Sequence, residues 1–253
     1  MNVPKLRFKE FTDEWTQKQL SEIVTFSKGN LLSKLDLDEN GIYPCILYGE
    51  LYTKYREVIR EVFSKTNYNT NNITKSKCGD ILIPSSGETS IDISTSSCLL
   101  LNDILLGGDI NILSPKNCDG RFVSYMINNN KRKDIAKVAQ GYSVVHLYHD
   151  NLRKINLNIP ALEEQKKIAD LLELLDKKIE LQTKKIEALK LFKSYTKSEI
   201  FKNGNHVCKL GAILNKWNKK NKDGAINYVE SISNKAGFIP QSEQFEDRNV
   251  AGK

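Results

Sequence analysis

The chain has 253 residues, room for one sizeable domain plus an accessory element, and with 40% hydrophobic and 27% charged residues it is neither wholly disordered nor a fibrous repeat. Lys and Arg outnumber Asp and Glu by 38 to 31, and the resulting +7 favours a polyanionic partner through counterion release without identifying one. The five cysteines, Cys45, Cys78, Cys98, Cys118 and Cys208, are scattered and never spaced CxxC, so they read as reduced thiols. With no signal peptide and no apolar run near ~18 residues, the expected setting is the cytoplasm, with no membrane contact.

Between residues 15 and 159, short apolar runs alternate with turn signals, the pattern of a mixed α/β (α+β) domain. Strands are predicted over 42–47, 81–83, 98–101 and 111–113, a helix over 120–127, and a loop over the Asn-rich 67–72. A different texture starts at Ile159-Pro160-Ala161-Leu162-Glu163-Glu164-Gln165, where Pro160 suits a first helical turn and the two glutamates complement the positive end of the helix dipole.

Beyond that start, Ile168, Leu172, Leu175, Ile179, Gln182, Ile186 and Leu189 step by alternating fours and threes. This heptad spacing keeps one apolar seam facing a partner helix, with Gln182 as a polar register mark. No Gly or Pro interrupts residues 161–203, so one helix of about 40 residues and roughly 60 Å is expected. The same pattern also suits an amphipathic helix packed within its own chain.

After Gly204 the texture reverts. Setting Lys209-Leu210 on Gln19-Leu20 aligns residues 206–216 with the start of the first domain, and Gly224-Ala225-Ile226 follows as Gly41-Ile42-Tyr43 does. The expectation is an internal repeat whose second copy stops at Lys253. This divides the chain into a domain over 1–158, a coiled-coil spacer helix over 159–203, and the N-terminal part of a second domain over 204–253.

Several segments, in order, resemble the specificity subunit of type I restriction-modification systems. They are Gly79-Asp80-Ile81-Leu82-Ile83-Pro84-Ser85-Ser86-Gly87-Glu88-Thr89, then Leu106-Gly107-Gly108-Asp109-Ile110-Asn111, then Gln140-Gly141-Tyr142-Ser143-Val144-Val145-His146-Leu147, and finally the helix start with its heptads. The resemblance covers nearly the whole chain. It implies alternating target-recognition domains and conserved helices, each recognition domain reading half of a split double-stranded DNA target. The paired helices would set the gap and dock methyltransferase (modification) subunits, with separate restriction subunits completing the complex and the specificity subunit itself not catalytic. This chain departs from the pattern by stopping inside what reads as the second recognition domain, as a truncated subunit or as a half-subunit that pairs with a second copy through its helix.

No catalytic constellation competes with that implication. There is no GxxxxGK[ST] loop, dinucleotide fingerprint or Asn-Pro-Pro-aromatic loop, so no cofactor is expected and base modification falls to a partner. His146 and His149, three apart, lack further metal ligands nearby, and Ser85, Ser86 and Ser90 do not form a GxSxG elbow. No metal site is expected.

Reading DNA requires donors and acceptors at base edges, held in register by phosphate contacts. Ser85, Ser86, Gly87, Glu88, Thr89 and Ser90 form one candidate segment, although these residue types also dominate plain turns. Gln140, Tyr142, Ser143 and His146 form a second, behind the phosphate-binding candidates Lys131, Arg132 and Lys133; a basic solvated helix running into a loop would look the same. Lys28, with Gly29-Asn30, is a third. The sequence alone does not choose among them, and a coiled-coil protein-interaction adaptor or an inactive truncated specificity subunit remains the alternative function.

Overall fold

The computed structural model describes residues 4–68, 72–141, 143–202, 230–233 and 237–240. In chain order the elements are β1 (Thr16–Gln19), α1 (Leu20–Ile23), β2 (Val24–Lys28), β3 (Tyr43–Ile46), α2 (Glu50–Thr53), β4 (Val58–Ile59), β5 (Ser64–Thr66), β6 (Asp80–Pro84), β7 (Ser86–Gly87), β8 (Ser97–Leu99), β9 (Leu105–Leu106) and β10 (Ile110–Pro115). There follow α3 (Gly120–Met126), α4 (Arg132–Val138), β11 (Val145–His146), α5 (His149–Arg153), β12 (Asn156–Ile159) and α6 (Leu162–Lys202).

A five-stranded sheet in the order β2-β10-β6-β8-β4 organises the domain, antiparallel except for the β4–β8 pair. Side chains alternate across a strand, and in β6 that alternation feeds two cores. Ile81 and Ile83 pack on one face with Phe122, Val123 and Ile135 of the helical layer, while Leu82 packs on the other with Ile46, Leu51 and Leu106. Strand β10 does the same, sending Leu113 to the first core and Ile110 and Ile112 to the second. With both faces covered, the central strands are apolar runs rather than alternating ones.

The second core is closed by a three-stranded sheet, β5-β3-β9. A ladder of β1 with β12 brings the two ends of the domain together, from Thr16 opposite Ile159 to Gln19 opposite Asn156. The predicted strands and helix thus fall on β3, β6, β8, β10 and α3. A π-helical turn over Ile127–Lys131 links α3 to α4; its poor helix formers are held by side-chain bonds, Asn128 accepting from the Ser96 amide at 2.8 Å and donating to its carbonyl at 3.0 Å.

The long helix is 41 residues. It starts at Leu162, so Pro160 lies ahead of the first turn rather than in it, where its carbonyl accepts from Gln165 Nε2 at 2.8 Å. Glu164 lies with Glu163 in the first turn, as the dipole argument expects, and gains a further partner there. It is buried and pairs through both oxygens with Arg7 at 2.7 Å, because the N-terminal segment folds back over this turn.

Two compact units divide the chain at residues 1–186 and 187–253. In the second, β13 (Glu230–Ser233) and β14 (Gly237–Pro240) pair antiparallel. The remaining residues of the proposed repeat, including 206–216 and 224–229, lie outside the described residues.

Candidate nucleic-acid interface

The register of the five-stranded sheet brings the three sequence candidates to one end of it. Strand β10 begins there, with Ile110 opposite Pro84 and Asn111 between Ile83 and Lys28. The start of β10 therefore lies between Lys28 on one side and Ser85 on the other, although the three stretches are far apart in sequence; the Ser85 amide donates to the Asp109 carbonyl at 2.8 Å. Lys28 and Asp109 are exposed.

The first and second clusters meet in a short ladder in which Ser86 lies opposite His146 and Gly87 opposite Val145. The ladder continues as Leu147 donates to the Ser85 carbonyl at 2.9 Å, and Asn111 Nδ2 donates to the Leu147 carbonyl at 2.9 Å. Ser85, Ser86 and Gly87 are buried in this arrangement, and a Cβ on Gly87 would run into Ile93, so they build the loop's scaffold. Glu88 and Thr89 are what the segment presents to solvent; Ser90 is partly buried. Thr89 Oγ1 donates to Asp92 and accepts from its amide, which closes the turn.

Gln140 and His146 exchange backbone hydrogen bonds across a tight turn, and Ser143 at its tip is exposed. Tyr142 lies outside the described residues. Of the three basic residues, Lys131 pairs with Asp134 at 3.4 Å and Arg132 Nε donates to the Ile91 carbonyl at 3.1 Å, bracing the Glu88–Asp92 turn against α4. Lys133 is exposed.

Sequence reasoning missed a further group on this face. His149 is not on a shared helix with His146, since it opens α5; its ring tilts against Phe26 at 5.3 Å, and Arg153 lies over the same ring at 5.1 Å. Burial, reinforced by the Lys28 and Arg153 charges, lowers the His149 pKa below its ordinary value. Tyr148 is exposed and stacked on His146 at 6.1 Å. Only long-range packing joins these side chains to Lys28, and no local motif announces them.

A second surface joins helix α6 to its domain. Arg121 forks between Asp119 at 2.8 Å, Asp170 at 2.6 Å and Glu173 at 3.0 Å, and these carboxylates raise its pKa. Arg60 adds a bond to Glu173 at 2.8 Å, and the Tyr125 hydroxyl donates to Asp176; burial, and then Asp176, push that hydroxyl's pKa upward. Ile168 and Leu172 at the start of the heptad seam are partly buried. From Leu175 onward the seam is open, with Ile179, Gln182, Ile186 and Leu189 exposed, and Leu171, Leu174 and Leu181 widen its apolar surface.

Fold and surface together define a mixed α/β domain on a long helix, with a loop-built polar and cationic sheet end and an open apolar helix seam. A family model described as type I restriction modification DNA specificity domain matches residues 12–191, and the chain belongs to that family. The fold is similar to that of the type I restriction-modification S subunit from M. genitalium, with a TM-score of 0.54 at 18% identity over 78% of this chain and 48% of that one. The HsdS subunit from Thermoanaerobacter tengcongensis is similar at a TM-score of 0.48 and 13% identity, over 71% of this chain and 41% of that one. This chain spans about half the length of these solved structures. No curated protein matches it. Among the described residues no helix is long and apolar enough to cross a membrane.

Proposed function

We propose that this chain is a non-catalytic, sequence-specific DNA-recognition subunit of a type I restriction-modification complex, working in the cytoplasm. The observation that carries this reading is the convergence of Lys28, the Glu88–Thr89 turn and the Gln140–His146 turn on one sheet end within a member of the specificity-domain family. A rigid sheet presenting short polar side chains from loops, flanked by cations, suits base-edge contacts held in register by phosphate contacts.

In this reading residues 1–158 read one half of a split double-stranded target, and 204–253 begin a second recognition domain. The open seam from Leu175 to Leu189 supports a helix-pairing role for 159–203, because a solvated apolar stripe of this length is stabilised by a partner helix. That partner is a second copy of the chain, and the paired helices dock methyltransferase and restriction subunits.

Methylation mapping of DNA from cells expressing this chain with a methyltransferase subunit tests the proposal. A symmetric, interrupted methylated motif is expected. An asymmetric motif overturns the two-copy assembly, and no methylation overturns the active role in favour of an inactive truncated subunit.

A further inference from the structure

Leu31 is held in the left-handed backbone region, at φ 58°, with its side chain 57% exposed. That conformation brings Cβ against the following carbonyl, and Asn, Asp and Gly occupy it far more readily than a bulky apolar residue does. Asp103 and Asp109, the other non-glycine residues with positive φ among the described residues, are of that accommodating type. Leu31 is the exception.

The strain is locked in from both sides. Asn30 donates from its amide to the Leu106 carbonyl at 3.2 Å and from Nδ2 to the Asn72 carbonyl at 2.9 Å, while its Oδ1 accepts from the Thr74 amide at 2.8 Å. Leu32 is buried, its amide bonded to Asn30 and its carbonyl accepting from Gly108 at 3.0 Å. Gly29 lies so close to Gly107 that a Cβ would strike that residue's carbonyl. The turn is thus a rigid mount that holds one leucine out into water, a backbone outlier of the kind that accumulates at ligand contacts.

Its position tells what it meets. Through Gly29 donating to Ile110 at 3.0 Å, and Gly108 to Leu32, the mount is fastened to the β10 start, beside exposed Lys28 and Asp109. Resting on the functional reading above, we infer that Leu31 is a specificity-determining residue that contacts the methyl group of a thymine in the major groove. The thymine methyl is the one apolar group on a major-groove base edge, and a pre-fixed aliphatic knob reaches it without an ordering cost. Lys28 supplies the adjoining phosphate contact.

The experiment is selection from a random duplex library by the full chain with a modification subunit, using wild type and Leu31→Gly, followed by titration of the selected site with thymine replaced by deoxyuracil. Glycine suits the left-handed backbone, so Leu31→Gly should unfold at or above the wild-type temperature. Wild type should select a thymine that Leu31→Gly no longer prefers, and its removal of methyl should weaken wild-type binding about three- to tenfold while changing Leu31→Gly less than about twofold. The inference is overturned if both proteins select the same motif and discriminate thymine from uracil equally. It is also overturned if DNA selection is unchanged and Leu31→Gly instead loses the modification subunit. If wild type selects no motif at all, the DNA-reading function itself fails.

Discussion

Asn111 Nδ2 donates to the Leu147 carbonyl at 2.9 Å, tying the start of strand β10 to the turn that carries Gln140 and His146. Asn111 is fully buried, and its Oδ1 has no partner among the described residues, so the bond to Leu147 is what its polar head contributes. Replacing it by alanine strands the Leu147 carbonyl and leaves a small void. Asn111→Ala should lower stability by about 2 kcal/mol. In hydrogen exchange, the Leu147 amide should lose protection ahead of the β6 and β10 core; uniform loss across the domain would contradict the local tether.

Arg121 joins α3 to α6 through two carboxylates, Asp170 and Glu173, and also pairs with Asp119 at the N-cap of its own helix; its removal would leave Asp119 and Glu173 partly buried without their shared cation. Arg121→Ala should cost about 2 kcal/mol in denaturant unfolding, with Arg121→Lys recovering only part because a point charge cannot span the fork. An unchanged midpoint in Arg121→Ala would mean that the cluster does not hold the helix.

The basic residues of the proposed DNA surface should separate into two behaviours. Lys28→Gln and Lys133→Gln remove exposed charge and should each flatten the slope of log affinity against log salt by about 0.9, equally for target and random duplexes. Arg132→Gln should also loosen the Glu88–Asp92 turn it braces at Ile91, and so reduce target affinity more than random-duplex affinity. Gel shifts at several salt concentrations distinguish these results.

His149 gives the domain an acid-sensitive contact. Its pKa in the folded chain lies below the unfolded value of about 6.5, because burial and the Lys28 and Arg153 charges oppose protonation. The unfolded state therefore binds the extra proton first, so the stability contributed is complete above about pH 6.5 and declines as pH falls through the unfolded pKa toward the folded one. His149→Gln should flatten the fall in melting temperature over that acid window. If the wild-type and variant curves run parallel, His149 is not the group responsible.

The cysteines should differ sharply in reactivity. Burial raises Cys45 and Cys118 to about 11 and raises Cys98 as well, whereas Cys78 is exposed. Among these four, a thiol reagent at neutral pH should modify Cys78 in the native chain and reach the other three on unfolding.

The sequence by itself determined the elements that rest on local chemistry and period. The apolar runs at 81–83 and 111–113, the glycine- and serine-rich turn after Pro84, and the heptads without a Gly or Pro each dictate their own backbone. The ordered motifs were enough to indicate the family. Gly87 was legible as a flexible point in a polar turn, but not as the close approach to Ile93 that buries Ser85 and Ser86 beside it. Pairing decisions belonged to the tertiary structure alone, because they link residues with no relation along the chain. Register across β10 set Lys28 and Ser85 on either side of one strand start, the Asn111 tether fixed Leu147 to that strand, and the folded-back N-terminus gave Glu164, in the first turn of its helix, Arg7 as a partner. The sequence could nominate three polar clusters, and long-range hydrogen bonds made them one surface.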